Sequence, residues 1–378
     1  MKKTLGSVLI ILMLVLTTTT ITASKTNNII YVDDDGGADY TSIQEAIDAA
    51  SYGDTIYVYE GTYIGQININ KTLVLTGEEK TTTIIDGQQL GEDTITITNF
   101  AVELTGFTIQ NSPRGCGYNA GIKLQNANNC IIKNNIFTNN CWAAEIRESS
   151  YCEFSNNKII DNVQGGIHLA FAPSATVTNC LFSGNERIGI RISRGNNQVI
   201  QSNNFIDCGI SIGYEPPPGN TITCTIEDNT INGKPLVYLE KEQGKIINDA
   251  GQVILNQCNG IIIRNLDISG AYTGISVYKS NFISILGNTI TDNHHGIGIG
   301  KSFFITIRNN KINNNWYNGI GLSGNILCRL SFNQITENNI GLYIHQSAIT
   351  LPAINNIREN REHNYVIAPL FLPWTFHL

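Results

Sequence analysis

The chain has 378 residues, of which 15% are charged, and a formal net charge of -7. Lysine and arginine form no basic block, which excludes a surface built to neutralise nucleic-acid phosphates. Nine cysteines occur, but their spacings give no evident disulfide framework.

The opening MKKTLGSVLIILMLVLTTTTITASK places Lys2 and Lys3 before an apolar run that ends near Leu16. That is the pattern of a signal peptide, assigned here to residues 1–24. The run is too short for a comfortable membrane span, although an uncleaved anchor is the alternative. The rest is expected to be secreted, periplasmic or at the cell surface, with no transmembrane segment beyond the leader. Residues 25–100 read as an N-terminal cap and first coils. Within them TSIQEAIDAAS (41–51) predicts a short helix, with Ser42 and Glu45 as a capping box and an apolar stripe at Ile43, Ala46 and Ile47.

From 101 to 360 the chain repeats every 22–25 residues. Segments such as CEFSNNKI (152–159), ISILGNTI (283–290) and ITIRNNKI (305–312) share one pattern. Aligned, they place Asn135, Asn157, Cys180, Asn204, Asn229, Leu266, Asn288, Asn310, Asn333 and Asn355 at one anchor, with Phe107 one unit earlier. A second strand recurs as GIKL, GIHL, GIRI, GISI, GISV, GIGI, GIGL and GLYI. Strands this short cannot bury a face alone, so stacked coils of a parallel β-helix are predicted. The anchor asparagines read as turn residues that tolerate a left-handed backbone, and stacked amides can bond coil to coil. Cys130, Cys152, Cys224 and Cys328 share a slot with isoleucine and read as core thiols, with a Cys130–Cys152 disulfide as the alternative. The 37-residue step between Asn229 and Leu266 predicts an extra turn or an outward loop. YEPPPGN (214–220) predicts a second loop, and residues 361–378 an irregular C-terminal cap.

The opening YVDDDGGADYTSIQEAIDAASYGDTIYVYEGTYIGQI resembles the N-terminal coil of pectin-lyase-like proteins. KPLVYLEKEQGKIINDAGQVILNQCNGIIIRNLDIS, with the coils after it, resembles the NosD family of exported β-helix proteins. The resemblance implies an all-β, right-handed, single-stranded parallel β-helix. It also implies carbohydrate-binding or sugar-hydrolase relatives, and a periplasmic role in copper handling. The QDTL and DFIFG motifs of pectinesterases and the RIK motif of polygalacturonases are missing.

Two groups of residues carry the functional expectations. The outward position between the apolar residues of each GIxI strand gives Lys123, Glu145, His168, Arg191 and Ser211. Two residues further along come Gln125, Arg147, Ala170, Ser193 and Gly213. Glu145 or His168 is the candidate base, with Arg147 or Arg191 as clamp. Lys123, Gln125, Trp142, Arg194 and Tyr214 are candidate ligand contacts. The same residues could simply pair on an exposed sheet. Later coils are nearly bare, with Ser276, Gly298, Gly321 and Tyr343 on that row. His294 and His295 are the candidate metal ligands, a thin set beside the three or four donors that a transition metal wants. No cofactor is named by the sequence. The expected function is binding of a polysaccharide or other surface polymer. The alternatives are a lyase, hydrolase or epimerase at the Glu145 patch, or a NosD-like copper accessory factor.

Overall fold

In each repeat, alternation at period two sends every second side chain inward. In the unit that starts at Cys130 the strands are Ile131–Lys133, Ile136–Thr138 and Trp142–Arg147. The next unit lies directly over it: Ile132 pairs with Phe154, Phe137 with Ile159, and Ile146 with Leu169. All six side chains are buried. The computed structural model describes residues 27–115, 117, 119–186, 188–213, 222–347 and 349–368. Over these the chain is an all-β right-handed parallel β-helix with a single helix, Ile43–Ala49. The expected leader, Tyr214 with its YEPPPGN loop, and residues 369–378 lie outside the described residues.

The helix begins as expected. Ser42 accepts a hydrogen bond from the Glu45 N–H (3.4 Å), and Ile43, Ala46 and Ile47 are buried in the first core.

The anchor asparagines do more than turn the chain. Apart from Asn204 and the half-buried Asn355 they are buried, and the ladder members accept a backbone N–H from the coil before: Asn135 N–H donates to Asn157 Oδ1 (2.9 Å), and Asn288 N–H to Asn310 Oδ1 (2.9 Å). Their Nδ2 groups donate onward, as Asn157 does to the Ile132 carbonyl (2.8 Å). Two expectations need correction. The left-handed residue is the one before the anchor, such as Asn134, Asn156 or Asn309. And the fourth rung is Asn203, which accepts from Cys180 N–H (2.9 Å); Asn204 begins an exposed strand position. A second ladder stands five residues later, through Asn140, Asn162 and Asn185 and then Asn293, Asn315 and Asn338. No disulfide joins the eight described cysteines, and Cys130, Cys152 and Cys328 are buried as core thiols while Cys224 is partly exposed. Burial pushes the Cys328 thiol up to about 12, so it stays a protonated hydrophobe.

The long step in the repeat holds the expected extra turn, since Lys234–Glu240 and Ile246–Ile247 lie in register under Gln252–Asn256 and Ile262–Arg264, but the chain enters it by reversing direction. Thr230–Ile231 turns back through Asn232 and Gly233, both with positive φ, to pair antiparallel with Lys234–Glu240. An Asn-Gly pair suits this tight hairpin. Every other described strand pairing is parallel. Lys234–Glu240 then pairs with Gln252–Asn256. These two strands serve two cores. Leu236, Tyr238 and Ile254 face the first, and Val237, Leu239, Val253 and Leu255 face the second. The second series of coils is therefore offset from the first across a shared wall. The GIxI strands of the two halves lie in different sheets and do not form one continuous row. The stack also continues past 361, because His363–Ala368 pairs in register with Ile340–His345.

Asn157→Ala is expected to destabilise the protein by about 2–3 kcal/mol, since it strands a buried N–H and a buried carbonyl. Asn204→Ala should change stability by less than about 0.5 kcal/mol. Urea denaturation of the two variants beside the wild type checks the difference.

Candidate functional site

The first half brings the expected column together. Lys123 pairs with Glu145, Glu145 with His168, and His168 with Arg191, on successive parallel strands. In the neighbouring row Gln125 pairs with Arg147 and Arg147 with Ala170. The register then shifts, so that Arg194, not Ser193, faces Ala170. An extra residue in one strand has this effect. It re-aims Ser193, whose Oγ lies 2.7 Å from His168 Nε2.

This column is layered in depth. Glu145 is fully buried and His168 is 3% exposed, whereas Arg191, Arg147 and Ser193 are partly exposed. Arg147 sends Nε (3.1 Å) and Nη2 (2.6 Å) to the same oxygen, Glu145 Oε1. Glu145 Oε2 is buried without a hydrogen-bond partner. Burial raises the Glu145 pKa, with the Arg147 guanidinium opposing it. Burial, helped by Arg191 and Arg147, lowers His168 to about 4, so its ring is neutral at pH 7. Beside it Lys123 holds the buried Asp93 (3.3 Å). Gln125 bonds Glu148 (3.2 Å), and Arg194 lies over the Phe171 ring (4.8 Å).

Trp142 is corrected as a ligand contact. It is only 2% exposed, its Nε1–H donates to Gln164 (3.0 Å), and its ring packs on His168 (5.4 Å). Its faces are used inside the protein.

The second half holds a groove that the sequence pattern left as bare wall. Ser276, Gly298, Gly321 and Tyr343 form its outward column. With Ile210, Ser211 and Ile212 of the first half they line a groove of about 320 Å³, together with Tyr272, His295, Asn318 and Ser323. The groove lies in the corner that the offset of the halves creates. Gln252 closes the joint, accepting from Ile210 N–H (3.0 Å) and donating to Ile210 O (2.9 Å).

Two kinds of glycine occupy the GIxI strands. A Cβ on Gly296 would lie 2.4 Å from the Gly319 carbonyl, and one on Gly319 would lie 2.8 Å from the Gly341 carbonyl. These glycines admit the next coil. A Cβ on Gly298 would meet only Thr273 Cγ2 at 3.5 Å, and one on Gly321 would meet Asn318 Nδ2 at 3.4 Å and the Ile297 carbonyl at 3.9 Å, both ordinary contacts. Neither has a positive φ. Backbone and packing do not require glycine there, and the space above stays open.

His294 and His295 stand beside this groove among rings. Tyr272 stacks on His294 (4.8 Å, 11°), Trp316 lies parallel to it (6.4 Å), and Tyr317 meets His295 edge-on (5.3 Å). Tyr272, His294 and Trp316, with Gln164, Glu186 and Ile188, line a second cavity of about 260 Å³. Burial lowers His295 to about 4. Among the described residues no three His, Cys, Asp or Glu side chains converge on a point, so the pair does not fit a copper centre, which wants further nitrogen or sulfur donors.

Comparison with known proteins agrees with this architecture. Residues 93–251 match the family described as right handed beta helix region, and residues 219–369 match periplasmic copper-binding protein (NosD). The chain is thus a right-handed parallel β-helix related to the NosD and pectin-lyase-like repeat proteins. No curated protein matches it significantly. Among solved structures it is similar to an alginate lyase from Paenibacillus sp. str. FPU-7, at 14% identity over 75% of this chain and 94% of that one (TM-score 0.46). It is similar to the A-module of the mannuronan C-5 epimerase AlgE6 of Azotobacter vinelandii, at 16% identity over 86% and 94% (TM-score 0.41). It is also similar to PfbA, a surface adhesin of Streptococcus pneumoniae, at 14% identity over 85% and 88% (TM-score 0.43).

His168 ties stability to pH. In the unfolded chain its ring takes up a proton near pH 6.5, whereas in the fold it does so only near 4. Unfolding therefore binds a proton between these values, and stability should fall as pH drops from about 6.5 to about 4, by on the order of 3 kcal/mol. Glu145, with its raised pKa, acts in the opposite sense in acid. Denaturation midpoints across this range should show a shallower acid loss for His168→Gln than for the wild type.

Proposed function

We propose that this protein is an exported β-helix that binds a neutral carbohydrate in the groove between its two halves. The observation that carries the reading is the pair Gly298 and Gly321, kept small where the fold itself would accept a side chain. The chemistry of the lining supports it. The groove's described lining residues carry no formal charge at pH 7, with His295 neutral. Ser276, Ser323, Thr273 and Asn318 offer hydroxyl and amide groups that both donate and accept. Tyr272 and Tyr343 offer rings, and Trp316 is 60% exposed nearby. A few polar groups among apolar and aromatic walls make a small-ligand site, and joints between structural units are where such sites concentrate. The neutral lining favours an uncharged sugar over a uronate. An exported location accords with the leader-like opening and with the match to a periplasmic family.

The copper reading has less support, since the described cysteines Cys130, Cys152, Cys180, Cys208, Cys258 and Cys328 are buried and no donor set converges among the described residues. Full burial of Glu145 weighs against its abstracting a proton directly from a polymer.

A glycan array followed by calorimetry tests the proposal. The wild type should bind one or more neutral oligosaccharides. Gly298→Leu should abolish that binding with the melting temperature nearly unchanged, and Trp316→Ala should weaken it about tenfold, equivalent to ~1.4 kcal/mol. Retained affinity in Gly298→Leu would remove the groove from the account.

A further inference from the structure

The buried column of the first half supports a separate activity, one that does not rest on sugar binding in the groove. Three side chains on successive coils form a line that deepens from the surface. Ser193 is partly exposed, at the bulge that aims its hydroxyl along the axis. Its Oγ lies 2.7 Å from His168 Nε2. On the far side of the imidazole, Nδ1 lies 3.8 Å from Glu145 Oε1. Glu145 is fully buried and held by Arg147.

We propose that Ser193 is a nucleophile for carboxylic esters, with His168 as its general base and Glu145 as the buried carboxylate that supports the imidazolium. The three roles follow from position. A nucleophile must meet the substrate, and Ser193 is the accessible member. A base must be neutral and within hydrogen-bond reach of the hydroxyl, as His168 is. The carboxylate need not touch substrate, and its place behind the histidine is the arrangement in which it steadies the charge that the ring acquires. The 3.8 Å separation is long for a resting hydrogen bond, and such contacts tighten when the ring becomes charged. The ring also packs against Trp142 (5.4 Å), which fixes its plane. Arg191, two residues before Ser193 on the same strand and paired with His168, is the cation placed to donate N–H groups to the developing oxyanion.

The step balances. The Oγ–carbonyl bond forms as the hydroxyl proton passes to Nε2. The tetrahedral adduct expels the alcohol, which takes that proton. Water then attacks the acyl-serine through the same base, releasing the carboxylic acid and restoring the Ser193 hydroxyl.

The experiment uses a fluorophosphonate probe and p-nitrophenyl acetate on the folded full chain. The wild type should be labelled once, at Ser193 by mass mapping, and should hydrolyse the ester. Ser193→Ala should lose the label and at least a hundredfold of the turnover, with an unchanged circular-dichroism spectrum and melting temperature. Glu145→Gln should retain Ser193 and lose much of its reactivity, while Glu145→Asp recovers part of it. Absence of labelling in folded wild type would overturn the proposal, as would equal hydrolysis by Ser193→Ala. Either result leaves sugar binding in the groove standing, because Ser193 does not line it.

Discussion

A backbone N–H at a buried corner has to find an acceptor, and in this protein it finds one on the next coil. Phe107, Asn135 and Leu266 each donate to an asparagine that lies one unit further along. The bond works at positions where the donor residue is not asparagine, because only its backbone is needed. It fails if the next coil slips by one residue. Repeated at two corners of many units, it fixes which side chains become neighbours on every wall. The meeting of Glu145 with His168, and of Gly298 with Gly321, follows from that register.

The offset between the halves then creates what a uniform coil lacks, a re-entrant corner. Lys234–Glu240 and Gln252–Asn256 are wedged between two cores, so each face of this strand pair is an inside face. The last GIxI strand of the first half, Gly209–Ile212, ends against Gln252. The next coils of the second half stand beside it and close the groove's other side. A flat wall offers a ligand one surface, whereas a corner offers two and excludes more water.

Much of this was legible in the sequence, and the physical reason differs from part to part. Period-two alternation and a 22- to 25-residue repeat are consequences of stacking, so the coil, its inward residues and the Lys123–Glu145–His168–Arg191 column could be read directly. The helix at Ile43–Ala49 was marked by its cap. The slip from Asn203 to Asn204 came from two adjacent asparagines, which a pattern cannot separate and a buried N–H can. The hairpin was signalled by Asn232-Gly233, and the two-faced strands by the runs LVYL and VIL, where alternation gives way to continuous apolar residues. Those signals were hidden inside what read as an insertion. Ser193 was missed as a partner of His168 because a single-residue bulge leaves no mark on composition. The groove was missed because the GIGI and GIGL segments use glycine in two roles, which only the neighbouring atoms distinguish.

The central claim is that the space over Gly298 is kept open for a ligand. Thiol-reactivity protection tests it most directly. Gly298→Cys and, as a control on another wall, Lys311→Cys would be labelled with a maleimide in the folded protein, with and without a saturating neutral oligosaccharide. The account predicts that the sugar slows labelling at 298 and leaves 311 unchanged. Equal rates at 298 in the presence and absence of bound sugar would contradict it.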